Sequence, residues 1–264
     1  MPPDLLWLPL LAGTGMTLLL ALAGVGLFLK GSAWQALALS QWAAVGGVAA
    51  SALTWPVLPL ALGVSGGMMW LLRLQRQGEH AALASFLAGL ALVTLLAANA
   101  PQASLAAARW AEGQLYFVAP ADAWAVVGLT LFSLPLLRPL KRIWLRSQLL
   151  PNLASWAVPG LPMRLAEAAW LVAVIVMGAM VFGVPAALST LLFPAWISAL
   201  RARQLQHWLL HAVLLALAAF MLAWWLSLWL DQPFAPVLIV THAAAGITLW
   251  ALRSVPSSTR RSTP

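Results

Sequence analysis

Nine apolar stretches, each about as long as a bilayer is thick, run through this chain of 264 residues. They lie at roughly 5–28, 35–53, 56–72, 81–98, 121–138, 165–181, 184–200, 207–229 and 235–252, where a spanning helix needs about 20 mainly apolar residues. Lipid offers no partner to a free N–H or C=O, so the backbone must close its hydrogen bonds within helices or within a sealed barrel. The stretches lack the period-two alternation of barrel strands. The chain therefore reads as an all-α, polytopic transmembrane bundle of about eight or nine spans. Composition agrees. Hydrophobic residues make up 63% and charged residues 8%, whereas a soluble domain carries roughly a quarter charged residues.

The basic residues orient the bundle. With Lys30 on the inner side and the spans alternating, Arg73, Arg76, Arg138, Lys141, Arg142, Arg146, Arg164, Arg201, Arg203, Arg253, Arg260 and Arg261 also fall inside. Only Arg109 falls outside. This asymmetry is the positive-inside pattern, and it predicts an outer N-terminus and a cytoplasmic C-terminus. Asp4, Glu112, Asp122 and Asp231 fall on the outer side. The net charge of +8 is this bias and calls for no nucleic-acid partner.

Several chemistries are excluded. There is no cysteine, so thiol catalysis, thiolate metal sites and disulfides are all out. The only lysines, Lys30 and Lys141, follow no phosphate-cradling glycine loop, so any ATP must be bound by another chain. No cofactor is implied. The first stretch lacks a basic n-region and runs on to Lys30, unlike a cleaved signal.

Three places depart from plain spans. Segments six and seven share about 35 residues around Gly183-Val184-Pro185, too few for two full spans and a loop. A short or broken helix is predicted there, and such helices line cavities. The stretch 139–164 reads as a long cytoplasmic loop with an amphipathic face (Leu149, Leu150, Leu153, Trp156, Val158) turned to the membrane or a partner. Residues 254–264 read as a disordered cytoplasmic tail, after a membrane domain over 1–253.

Polar residues inside a membrane are the default functional candidates. Ser40 and Gln41 lie within the second span, and Glu79 and His80 start the fourth. His207 and His211, spaced i, i+4, share one helix face. Neutral imidazoles suit zinc and its neighbours, but two ligands are too few for a site, and an interfacial pair at the helix end is the preferred reading. His242 reads as a buried histidine bonded to a neighbouring helix. The tryptophans near span ends (Trp7, Trp55, Trp70, Trp110, Trp144, Trp208, Trp250) fit an interfacial belt. Gly63-Val64-Ser65-Gly66-Gly67 matches G-x-S-x-G and, with His242, raises an intramembrane serine protease as an alternative. The His-x-x-x-Asn element is absent, and small residues for close helix packing are the better explanation.

In order along the chain, several pieces resemble one family, the permease subunits of bacterial ABC importers for zinc, manganese and iron (the ABC-3 family). Gly26 to Lys30 followed by Ala36-Leu37-Ala38-Leu39-Ser40-Gln41-Trp42-Ala43 is similar to its first span, basic turn and "GDALSHA" element. Glu79-His80-Ala81-Ala82-Leu83 looks like "EDAALGI". Arg138-Pro139-Leu140 matches "YRPLLL", and Gly160-Leu161-Pro162-Met163-Arg164 matches "LGLPVRLLD". Phe182 to Ala195 looks like "AVGVLLVSALLILPAA", and Leu230-Asp231-Gln232-Pro233 is similar to "LDLPSG". The resemblance implies a permease of the bacterial inner membrane that carries a divalent transition metal, zinc first, then manganese or iron. It implies a second permease chain, identical or not, and cytoplasmic ATP-binding subunits. It also implies a periplasmic or lipid-anchored metal-binding protein. Asn152, Ala154, Trp156, Gly160 and Pro162 would belong to the segment docked on the ATPase. Ser40, Gln41 and Leu37 would lie on the substrate path. Leu37 and Gln41 stand where the family has an Asp and a His, and Gln is a poor zinc ligand. Three expectations stay open: few ligands from this chain, ligands from a non-identical second permease, or a metal chelate or other small molecule as cargo.

Overall fold

The computed structural model describes residues 6–74, 78–113, 115–149, 160–202 and 204–254. Among these there are ten α-helices and no strand: α1 (Trp7–Leu29), α2 (Ala33–Leu53), α3 (Val57–Leu74), α4 (Gly78–Asn99), α5 (Pro101–Glu112), α6 (Pro120–Leu149), α7 (Leu161–Phe182), α8 (Val184–Ala199), α9 (Leu205–Leu230) and α10 (Phe234–Ser254). Nine of them coincide with the nine apolar stretches. Seven are long and apolar enough to cross a membrane, and α8 and α10 are shorter apolar helices.

The tenth, α5, was not visible as an apolar run. It opens with Pro101 in its first turn and stops at Gly113, whose φ is +81°, the usual asymmetry of proline at the start and glycine past the end. Its Ala103, Ala106 and Trp110 are buried while Leu105 is exposed.

The helices form two groups. α2 packs with α3, α4 and α5, while α1 crosses into the other group and packs with α6, α8 and α9. α10 leans on α8 and α9, and α7 touches both groups. Burial separates centre from rim. In α1, α2 and α7 the buried share of the span is 72%, 67% and 72%, against 17% to 33% in α3, α4, α6 and α9. Close approach of α1 to α8 rests on Gly24, where an added Cβ would stand 1.9 Å from the Leu191 carbonyl oxygen.

The predicted break lies at Gly183, between 22-residue α7 and 16-residue α8. Its φ of +81° is a conformation that favours glycine. It packs against Gly113, the other glycine with that φ, so the α5 end abuts the α7–α8 break.

The stretch 139–164 is not all loop. α6 continues through Pro139 to Leu149. Arg138, Lys141 and Arg142 lower the hydropathy there, yet Leu140, Ile143 and Trp144 recur at helical spacing and are buried. Trp144 lies flat against Gly26 of α1, where a Cβ would come within 2.5 Å of its ring. Asn152, Ala154 and Trp156 lie outside the described residues, as does the tail from 255 onward. Gly160 and Pro162 are exposed at the start of α7.

The tryptophan belt holds for Trp7, Trp55 and Trp70, which are exposed. Trp110 and Trp144 are core residues instead. Trp208 donates its indole N–H to the Ala195 carbonyl at 2.8 Å.

A candidate translocation path along the second helix

α2 carries buried polar groups where a spanning helix would otherwise be apolar. The Ser40 hydroxyl donates to the Leu37 carbonyl at 3.0 Å and is fully buried. Gln41, 6% exposed, packs against Gly89 of α4, where a Cβ would stand 3.0 Å from its Cγ. The neighbouring helices are stitched to α2 around this point. The Ser65 hydroxyl of α3 donates to the Leu39 carbonyl at 3.0 Å, and the Trp42 indole donates to the Ser85 carbonyl of α4 at 3.0 Å.

A cavity lies at each end of α2. One, of about 350 Å³, is lined by Ser51, Arg109, Trp110, Asp122 and Met180. The other, of about 660 Å³, is lined by Phe28, Lys30, Ser32, Gln35 and Arg73. From Gln35 to Ser51 the helix rises about 24 Å at 1.5 Å per residue. Between the two cavities, Ser40 and Gln41 are closed off by side chains.

Leu37 stands apart from Gln41. It is half-buried and lines a third, apolar cavity of about 370 Å³ with Phe28, Trp34, Leu192, Phe193 and Trp196. His242 lies behind that wall. It is fully buried, its ring stacks on Phe193 at 6.4 Å, and its Nδ1 is 3.4 Å from the Ser189 hydroxyl. Its Nε2 has no hydrogen-bond partner.

His207 and His211 are exposed on α9 with their rings 6.3 Å apart. No group of three or more His, Asp or Glu side chains able to hold a metal occurs among the described residues. Ser65 and His242 make no hydrogen bond to each other: Ser65 is spent on the Leu39 carbonyl, and His242 faces Ser189. A Ser–His dyad needs that bond, so the protease reading loses its geometry.

Residues 4–252 match the sequence model of the ABC 3 transport family. The chain belongs to this family. It is a multi-pass membrane permease, a component of a transporter. No curated protein matches its sequence. Among solved structures, it is similar to PsaBC from Streptococcus pneumoniae in complex with Fab, with a TM-score of 0.80 and 16% identity over 93% of this chain and 91% of that one. It is also similar to an inward-facing structure described as a metal-chelate type ABC transporter, with a TM-score of 0.73 and 16% identity over 94% and 86%. At such identity these two likenesses speak for the fold alone.

Sequence reasoning passed over Glu167. This residue of α7 is 2% exposed. One carboxylate oxygen is 2.5 Å from the Lys30 ammonium, and the other accepts the Trp144 indole N–H at 2.9 Å. The signal was present, an acid in the segment 165–181, and buried carboxylates in such segments come paired.

Proposed function

We propose that this family member is the permease subunit of an ATP-driven importer of a transition metal, with zinc first and manganese or iron next. The observation that carries the reading is α2, whose buried Ser40 and Gln41 lie between cavities at its two ends. A closed middle flanked by cavities is compatible with alternating access, in which a midplane site opens to one side at a time. The family supplies the rest: a second permease chain, a cytoplasmic ATP-binding subunit, and a periplasmic or lipid-anchored binding protein that delivers cargo. The segment around Asn152–Pro162 would dock on the ATPase, with the N-terminus outside and the C-terminus in the cytoplasm of the bacterial cell.

A second reading concerns the state of the metal. Leu37 and Gln41 bring no charge to α2, and the described residues offer no three-ligand cluster. A bare divalent ion in a low-dielectric path needs anionic or several neutral ligands. A metal that arrives as a chelate brings its own. One of the structural relatives is itself described as a metal-chelate type transporter.

The test is uptake into vesicles holding the permease, its ATPase subunit and the binding protein. Zn²⁺, Mn²⁺ and Fe²⁺ are supplied free and as chelates. ATP-dependent uptake of free zinc, lowered by about 10-fold or more in Gln41→Ala, supports the first reading; a factor of 10 is about 1.4 kcal/mol. Uptake of chelates only supports the second. A purified chain that never associates with an ATPase subunit ends both.

A further inference from the structure

Both flanks of the segment 150–159 lead to one carboxylate. α6 enters the segment after Leu149, and its Trp144 donates to one oxygen of Glu167 at 2.9 Å. α7 leaves it at Leu161, and Glu167 is in the second turn of that helix. The other oxygen of Glu167 is held by Lys30 at 2.5 Å. The Glu167 side chain is 3% exposed and that of Lys30 26%. Among the described residues, Glu167 is the only buried carboxylate.

Lys30 ends α1, and α2 begins three residues later at Ala33. The turn between them is tight. Gly31 N–H donates to the Phe28 carbonyl at 3.1 Å, and Ser32 N–H to the Leu27 carbonyl at 3.0 Å. Displacement of Lys30 is therefore passed to the first turn of α2, which carries Gln35 into the cavity that Lys30 also lines. α3 joins the same knot, since the Arg73 guanidinium donates to the Arg164 carbonyl of α7 at 3.4 Å.

We propose that Glu167 is the positioning residue through which movement of α6 and α7 reaches the path helix, because it ties both helices to the α1–α2 turn. Charge-assisted hydrogen bonds in a water-poor site are short and strong. A contact of this kind, joining rigid helices, can carry coupling between two sites. The inference rests on the reading of the segment around Asn152–Pro162 as the one that docks on the ATPase. It adds a named residue that no path or docking argument had assigned.

The natural chain has no cysteine, so Gln35→Cys is a clean reporter on α2. The permease with its ATPase subunit is placed in lipid nanodiscs. The rate of labelling by a charged maleimide is measured with and without ATP and vanadate, beside ATP hydrolysis. With Glu167 and Lys30 intact, nucleotide changes the labelling rate by about 10-fold, within the range typical of coupled sites. In Glu167→Gln, which keeps the shape and the acceptor for Trp144, hydrolysis continues while the nucleotide response falls below about twofold, a loss of most of that coupling. Lys30→Gln gives the same loss, and Lys30→Arg restores the response by keeping the charge. Undiminished response in both Gln variants overturns the inference and leaves the importer reading standing. Absence of any nucleotide response in the unaltered pair overturns the importer reading, and this inference with it. If Glu167→Gln does not assemble, Lys30→Gln decides. If neither assembles with the ATPase, the cluster is purely structural and the proposal is wrong.

Discussion

Among the described residues two ionisable side chains lie away from solvent, Glu167 in α7 and His242 in α10, and their surroundings differ. Both oxygens of Glu167 are taken, one by an ammonium and one by an indole N–H. His242 has a long contact to Ser189 on one nitrogen and nothing on the other. A carboxylate cannot remain charged in an apolar bundle without a partner. A neutral imidazole can, at the modest cost of an unmade hydrogen bond. The first group is therefore bound into the scaffold by charge, and the second only by packing and weak neutral contacts to Ser189 and the Leu238 backbone. Substitutions at the two positions should give opposite results.

The largest effect is expected from breaking the ion pair on one side only. Lys30→Met strands the Glu167 carboxylate, whose side chain is 3% exposed, and is expected to cost about 3–5 kcal/mol. Glu167→Leu leaves the Lys30 ammonium on the lining of the Gln35 cavity, where water reaches it, and should cost less. The double variant Lys30→Met/Glu167→Leu should recover much of the loss, because two apolar side chains need no mutual charge. Equilibrium unfolding in mixed micelles measures all three. Additive single losses in the double variant would mean that Lys30 and Glu167 act separately.

Gly24→Ala asks whether shape matters as much as charge. Its Cβ would press on the Leu191 carbonyl of α8, which is backbone and cannot swing aside. The two helices must separate, at about 1–3 kcal/mol. A loss as large as that of Lys30→Met would place packing, and not the ion pair, at the centre of stability.

A smaller effect is expected at Tyr116, in the link between α5 and α6. Its phenol shares a hydrogen bond with the Ser227 hydroxyl, and its ring packs against Trp224. Tyr116→Phe should cost about 1 kcal/mol. Burial raises the phenol above its ordinary value, with the Ser227 bond opposing in part. The unfolded chain then ionises first, near pH 10. The stabilisation is complete below that pH and is lost as pH rises toward the folded value. Unfolding followed from pH 9 to 11 should show this slope in the natural chain, and Tyr116→Phe should flatten it.

Most of the architecture was legible because burial in lipid writes itself into composition. Nine apolar stretches gave nine helices, and Gly183 marked the break. Where charge and burial coincide the signal failed. α6 was cut short at Arg138 because Lys141 and Arg142 hide the buried face of Leu140, Ile143 and Trp144. α5 was missed because a half-exposed helix on the bundle surface has no long apolar run. Glu167 could be seen as a charge in the wrong place, but its partners come from α1 and α6, and no local pattern reports a contact 137 residues away in the chain. The Gln41 environment needed the structure for the same reason, since Gly89, against which it packs, stands on another helix.

His242→Leu is expected to change stability least. The Ser189 hydroxyl keeps its bond to the Ala186 carbonyl at 2.8 Å when the imidazole is gone, so the substitution strands no donor. Leucine is apolar, and it removes a nitrogen that had no partner. The change should stay within about 1 kcal/mol in either direction, since replacing a half-satisfied polar group by an apolar one is often neutral or better. A cost of 3 kcal/mol or so, the size expected for a broken buried pair, would show that Nε2 has a partner and would end the contrast with Glu167. Unchanged stability together with lost uptake would sharpen the contrast. A polar group that contributes nothing to the fold, buried in a membrane helix beside the wall of the Leu37 cavity, is then retained for what passes along that wall.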